Sequence, residues 1–82
     1  MEIEEFYKKQ EFLIDKWCSR TLLEPLRHLL NGQAALNGLT DGWSEMLYEL
    51  KTIRAQNKDL LSNDEFEVLV NLIHAAEAAI DI

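Results

Sequence analysis

Apolar residues in the last part of the chain recur with the period of an α-helix, and polar signals mark where that helix begins. Ser62 and Glu65 have the spacing of a capping box, in which each side chain binds the backbone amide of the other residue. Leu61 and Phe66 occupy the two positions of a hydrophobic staple around that start. We therefore predict a helix over residues 63–80. At about 100° per residue its apolar arc consists of Phe66, Val68, Leu69, Leu72, Ile73, Ala75, Ala76, Ala79 and Ile80.

The same period predicts three more helices upstream, over about residues 2–18, 22–31 and 41–56. Pro25 is tolerated in a first helical turn but not in a helix interior, so one helix must end before it and another must begin there. We therefore predict an all-α fold, a compact four-helix bundle-like single domain covering residues 1–82.

The boundaries between these helices rest on a few residues. Thr21 and Glu24 are a second match to the capping box and would start the second helix. Gly32 suits the position just past the end of a helix, so we predict that the second helix stops there and that residues 32–40 form the one long connection. Thr40 or Asp41 would cap the third helix.

The second helix has an apolar face in which leucine predominates. We expect Leu22, Leu23, Leu26, Leu29 and Leu30 to face the core, and Arg27, His28 and Asn31 to face solvent. Cys18 lies on the apolar arc of the first helix, and we expect it to be a buried structural thiol.

Composition narrows the class of protein. The chain has 82 residues, of which 48% are hydrophobic, with one Pro and three Gly, a composition that fits one small helical core. The longest apolar run is far too short for a membrane span, and the start of the chain does not resemble a secretory signal. A single cysteine excludes an internal disulfide and fits a reducing compartment, so we expect a cytoplasmic protein without a membrane partner.

The net charge of −7, from 15 acids and 8 bases, decides which partners are plausible. Binding to phosphates needs a basic stripe, so direct contact with nucleic acid is not expected. An acidic surface suits a basic partner protein, and it could also imitate nucleic acid toward a protein that binds it. The alternative is that the charge serves solubility alone.

Motifs for catalysis are absent from the chain. It has no Gly-rich phosphate loop, no H-E-x-x-H and no C-x-x-C, so we expect no enzyme activity and no cofactor. His74, Glu77 and Asp81 can share a helix face, but di-iron bundles use Glu-x-x-His on several helices. Here the order is reversed and no second copy exists, so no metal site is predicted.

Acidic residues cluster beside an outward-facing aromatic ring on the third helix, and this group is the strongest candidate site. Tyrosine is favoured at protein-contact hot spots, and acids around such an anchor speed the encounter with a basic partner. A second acidic face follows on the fourth helix. The residues predicted to bind a partner are Asp41, Glu45, Tyr48, Glu49 and Thr52 on the third helix, and Glu67, Glu77 and Asp81 on the fourth.

The hypothesis is a small acidic binding protein that docks on a basic partner, such as a nuclease toxin or a nucleic-acid-binding enzyme, and blocks it. Immunity proteins, antitoxins and phage-encoded inhibitors work in this way, and the analogy rests on size, charge and helicity alone. The alternative is a homo-oligomeric structural or regulatory bundle, for example a homodimer, that packs through the apolar arc of the last helix.

Overall fold

The computed structural model describes residues 2–38 and 41–80. Within these ranges the chain forms four α-helices and one 3-10 turn, and no strand. The predicted all-α, four-helix bundle-like fold is confirmed. The elements in chain order are α1 (Ile3–Ser19), α2 (Leu23–Gly38), α3 (Gly42–Gln56), the 3-10 turn (Lys58–Leu60) and α4 (Asn63–Ile80).

The helices pack around one hydrophobic cluster to which all four contribute. Each helix contacts its neighbours in the chain, and α1 also contacts α4, so the bundle is closed. The radius of gyration is 11.6 Å, close to the value of about 12 Å expected for a compact chain of this length. The buried members of the cluster are Phe6, Leu13, Trp17, Leu29, Met46, Leu50, Ile53, Leu69, Leu72, Ile73 and Ala76.

The start of α4 confirms the capping box. The amide of Ser62 donates to the Glu65 carboxylate at 3.0 Å, and the amide of Glu65 donates to the Ser62 hydroxyl at 3.2 Å. The pair satisfies two of the amides that a helix start leaves without a partner. The predicted range 63–80 therefore matches the observed helix.

Thr21 ends α1 instead of starting α2, so the second capping-box prediction was wrong. Its φ of 59° lies in the left-handed region, which is rare for a β-branched residue. The amide of Thr21 donates to the carbonyl of Cys18 at 3.2 Å, and the amide of Leu22 donates to that of Trp17 at 2.8 Å. Together these two bonds are the Schellman motif that closes a helix C-terminus.

The predicted end of α2 was also wrong, because the helix continues through Gly32 to Gly38. Gly32 is buried against α3, and a Cβ built on it would lie 2.8 Å from the Met46 sulfur and 3.3 Å from the Met46 Cα. Gly42 makes a closer approach, since its Cβ would lie 2.6 Å from the Ala35 carbonyl oxygen. Both glycines therefore allow α2 and α3 to touch at backbone distance. The predicted connection shrinks accordingly, and Thr40 lies outside the described residues.

The longer α2 turns a different face to the core from the one predicted. Leu29 is buried as expected, but Leu23 is 64% exposed and Leu30 is 44% exposed. His28, expected in solvent, lies in the contact between α2 and α3 with 12% of its side chain exposed. The prediction for Cys18 was wrong as well, because its thiol is exposed.

An ion pair joins the end of α1 to the start of α4. The guanidinium of Arg20 donates to the Glu65 carboxylate, which is almost fully buried, and also to the Leu60 carbonyl at 2.8 Å. Burial acts to raise the pKa of Glu65, but the hydrogen bonds from Arg20 and from the Ser62 amide, with a further contribution from the Trp17 indole, hold it below its ordinary value.

The apolar arc of α4 is largely used inside the same chain. Leu69, Leu72, Ile73 and Ala76 are fully buried, whereas Ile80 at the helix end is 41% exposed. These buried residues are not available to a second subunit, and the homo-oligomer through this arc stays a prediction. In the described ranges, no helix combines the length and apolar character needed to cross a membrane.

Candidate functional site

The outer side of α3 carries an exposed aromatic ring next to acidic residues. Tyr48 is 64% exposed, and Glu45 and Asp41 are exposed about one and two turns before it, respectively. Glu45 and Tyr48 are three positions apart and therefore neighbours on the helix surface. Thr52 is half-buried, and its hydroxyl donates to the Tyr48 carbonyl at 2.8 Å. We call Asp41, Glu45, Tyr48 and Thr52 the α3 face.

Glu49 does not belong to the α3 face, so its predicted outward position was wrong. Only 6% of the residue is exposed, and its carboxylate lies 3.2 Å from Nδ1 of His28 on α2. A buried polar group is stable only with a partner, and each side chain supplies one to the other. This pair holds α2 to α3 and leaves little of Glu49 for an outside protein.

The pairing of His28 with Glu49 is recognisable in the sequence only if the second helix is extended past Gly32. With Gly32 inside the helix, residues 28, 29, 32, 35 and 36 fall on one face at helical spacing, which turns His28 toward α3. The pairing does not follow from a second helix that ends at Gly32, because that helix directs His28 toward solvent.

The acidic residues predicted on α4 do not form one continuous patch. Glu67 is exposed. Glu77 is half-buried, and its carboxylate lies 3.5 Å from Nζ of Lys51 on α3. Asp81 lies outside the described residues. Because both side chains of the Lys51–Glu77 pair are nearly half exposed, the pair contributes little to stability, but it reduces the local excess of negative charge.

The negative charge is divided unequally between the two halves of the chain. Residues 41–82 contain nine acids against three bases, whereas residues 1–40 contain six against five. Six of the seven net negative charges therefore belong to the half of the chain that contains α3 and α4. The exposed aromatic ring of Tyr48 lies in that half.

The α3 face can recognise a positively charged surface. Its carboxylates can pair with guanidinium or ammonium groups, and the ring of Tyr48 can pack against an arginine side chain. In the described ranges, no group of three or more His, Cys, Asp or Glu side chains could hold a metal ion.

Searches of known proteins gave no relative to compare with this site. No protein-family model, no curated protein and no solved structure matches the chain.

Proposed function

We propose that this protein binds a basic partner protein through the α3 face and blocks the surface that it covers. The observation that carries the proposal is the exposure of Tyr48, 64% of which is open to solvent next to the exposed Glu45. An exposed Tyr next to Glu or Asp combines the residue type most favoured at hot spots with charges that attract a basic surface.

Two local contacts prepare the α3 face for binding. The Thr52 hydroxyl is held by the Tyr48 carbonyl, so it does not compete for the ring or for the carboxylate of Glu45. Lys51 follows Tyr48 by three residues on α3, and its ammonium group lies 3.5 Å from the carboxylate of Glu77 on α4. The carboxylates of Asp41 and Glu45 have no ion-pair partner among the described residues, and they remain available to an outside cation.

The partner class follows from the charge. A protein that handles nucleic acid presents a basic surface, and a compact acidic bundle can cover it; immunity proteins, antitoxins and phage-type inhibitors of nucleases act in this way. The proposed role is that of a non-catalytic inhibitor of such an enzyme in the cytoplasm. Glu67 and Glu77 would contribute a smaller second contact on α4.

Affinity capture with matched variants tests the proposal. The immobilised wild-type chain is incubated with lysate of the native host and then washed at increasing salt. The binding variant is Tyr48→Ala with Glu45→Lys. The control variant, Phe12→Ala with Asp15→Lys on α1, removes an exposed ring and reverses an exposed acid at the same three-residue spacing.

The proposal predicts a basic protein that the wild-type chain and the α1 control variant both retain, and that the α3 variant does not. The bound protein should be released between about 0.1 and 0.5 M salt, where exposed charge pairs are screened. If all three baits retain the same proteins, or if no basic protein is retained by the wild-type chain, the α3 face is not a docking site for a basic partner.

A further inference from the structure

Most aromatic side chains of this protein are held by other parts of the same molecule. The sequence contains seven of them, and all seven lie in the described ranges. Trp17 is fully buried in the core. Phe6 packs edge-to-face against Tyr7 and Trp43, with ring centroids 6.5 and 5.0 Å away, respectively. The fold therefore supplies these four rings with their surroundings.

Two further rings are each covered by a lysine of the same chain. The ammonium group of Lys16 lies 5.6 Å from the ring centroid of Phe12, which precedes it by four residues on α1. The ammonium group of Lys58 lies 5.4 Å from the ring centroid of Phe66 in the first turns of α4. Both distances are within the limit of about 6 Å for a cation–π contact. The molecule thus covers both of its partly exposed phenyl rings with its own cations.

Tyr48 is the most exposed aromatic residue of the seven, and among the described residues no cation lies over its ring. Thr52 follows it by four residues, at the position where Phe12 has Lys16, and the Thr52 hydroxyl donates to the Tyr48 carbonyl at 2.8 Å. Lys51 follows it by three residues and pairs with an acid on α4. All eight Lys and Arg residues lie in the described ranges. The ring of Tyr48 is therefore open to a cation from another molecule.

We propose that Tyr48 and Glu45 form a binding site for one arginine side chain of the basic partner. This arginine site rests on the proposed function, because it specifies the side chain that the α3 face would accept. Glu45 is exposed and has no ion-pair partner among the described residues. It precedes Tyr48 by three residues, a spacing that places Cβ atoms about 5–6 Å apart on a helix surface. A cation over the ring is therefore within reach of the carboxylate.

The arrangement of ring and carboxylate favours a guanidinium over an ammonium group. A guanidinium is planar, so its face can stack on the Tyr48 ring while its edge donates two hydrogen bonds to the Glu45 carboxylate. An ammonium is a compact point charge without separate face and edge, and it is more strongly hydrated, which opposes its transfer from water to the ring. The arginine site thus selects the type of cation as well as the sign of its charge.

The lysines over Phe12 and Phe66 are compatible with this selectivity. Lys16 and Lys58 are kept close to their rings by the chain that connects them, whereas a side chain of a partner must gain its contact energy on binding. The stacking and bidentate contacts of an arginine supply that energy in one side chain. A partner lysine would make the weaker of these contacts only.

Asp41 has a different role from Glu45. It precedes Tyr48 by seven residues, which is two turns or about 10.5 Å along the helix, and one guanidinium on the ring does not span that distance. Asp41 is exposed, so it attracts a basic surface without contacting the same arginine. The selectivity for arginine should therefore depend on Tyr48 and Glu45, and the general attraction should depend on all three residues.

Titration with two synthetic peptides of equal charge tests the arginine site. The probes are hexa-arginine and hexa-lysine, blocked at both ends and added to the isotope-labelled full chain at low salt. The dissociation constant of each peptide is measured by NMR from the amide shifts of residues 45–52 on α3. We expect hexa-arginine to bind about two- to fivefold more tightly than hexa-lysine, which corresponds to one exposed cation–π contact.

Matched variants locate the source of this ratio. Tyr48→Leu removes the ring and keeps an apolar side chain, so the two dissociation constants should become nearly equal, whereas Tyr48→Phe should retain the ratio. Phe12→Leu removes a ring that Lys16 already covers and should leave the ratio unchanged. Asp41→Asn should weaken the binding of both peptides by the same factor. Circular dichroism spectra confirm folding, which the exposure of the three substituted positions favours.

Each contrary result has its own meaning. Equal binding of the two peptides, with shifts on α3, would exclude the arginine site and leave the α3 face as a docking surface for a basic partner. A preference for hexa-arginine that persists in Tyr48→Leu would also exclude it, because another part of the molecule would then supply the selectivity. If neither peptide shifts the amides of α3, the arginine site and the proposed docking face are both wrong.

Discussion

Arg20 at the end of α1 and Glu65 in the first turn of α4 are bound to each other across 45 positions of the chain. The same carboxylate accepts a hydrogen bond from the Ser62 amide, and the same guanidinium donates to the carbonyl of Leu60. One nearly buried acid therefore caps a helix and closes the bundle between its first and last helices. Glu65 thus has a structural role that its position in a capping box alone does not reveal.

Replacing Glu65 with Gln should remove the charge and keep the cap, since Gln also serves in a capping box. Because the pKa of Glu65 is lowered in the folded state, its charge stabilises the fold above the ordinary glutamate pKa of about 4.3, and this contribution is lost as the pH falls through the lower folded value. We expect the variant to be less stable than the wild type by about 1–3 kcal/mol at pH 7.

Urea denaturation at pH 7 and pH 3 measures this effect, with Glu67→Gln as the control on the same helix. The stability difference between Glu65→Gln and the wild type should shrink at pH 3, whereas Glu67, which is exposed, should give a small difference at both pH values. If the stability difference between Glu65→Gln and the wild type is the same at pH 7 and pH 3, the pKa of Glu65 is not lowered by folding.

Replacing Thr21 with Gly should stabilise the protein. The φ of 59° costs a residue with a Cβ about 1–2 kcal/mol, and glycine avoids this cost but loses more backbone entropy on folding. We expect a net gain of about 0.5–1 kcal/mol in the free energy of unfolding from urea titrations. Ser19→Gly, inside the last turn of α1, is the control and should have the opposite sign; destabilisation by both would contradict the role of the left-handed backbone.

Replacing Gly42 with Ala should destabilise the contact between α2 and α3. The new Cβ would lie 2.6 Å from the Ala35 carbonyl oxygen and 2.7 Å from the Leu36 Cα. Both are backbone atoms, so the helices must move apart, at a cost of about 1–3 kcal/mol. Gly38→Ala is the control, because nothing lies within 4 Å of its Cβ position, and it should be neutral or stabilising. Equal thermal midpoints for the two variants would show that the helices are not in backbone contact at Gly42.

Glu45 and Glu49 lie one turn apart on α3 and should respond differently to substitution. Glu49→Ala leaves His28 without its partner in a buried position, and we expect a loss of about 1–3 kcal/mol in stability. Glu45→Ala changes an exposed residue, and the expected change is within about 0.5 kcal/mol. Urea titration measures the difference in stability between the two variants. The affinity for the proposed basic partner should fall more with Glu45→Ala than with Glu49→Ala. Equal stability of the two variants would show that Glu49 is not buried against His28.

The parts of the fold that were predictable from sequence are those that local residues determine. The capping box at Ser62 and Glu65 gave the start of α4 because both partners lie within one turn. The helical spacing of apolar residues predicted four helices, because an apolar face is a property of each helix's own sequence and does not depend on which element packs against it. The exposure of Tyr48 followed in the same way from its position opposite the apolar side of α3.

The features that could not be predicted from the sequence depend on contacts between helices. Gly32 carries the same signal whether it ends a helix or allows another helix to approach, and only the position of Met46 distinguishes the two. In the sequence, Glu49 is spaced as part of a row of acidic residues on α3, and only the packing of α2 against α3 shows that it pairs with His28. Lys51 and Glu77 likewise meet only after α3 and α4 are packed together.

The uneven division of charge between the two halves of the chain has a consequence for how the molecule moves near other proteins. With net charges of −1 and −6 in residues 1–40 and 41–82, the molecule has an electric dipole moment as well as a net charge. In the field of a cationic surface it would rotate as it diffuses, so that α3 and α4 arrive first.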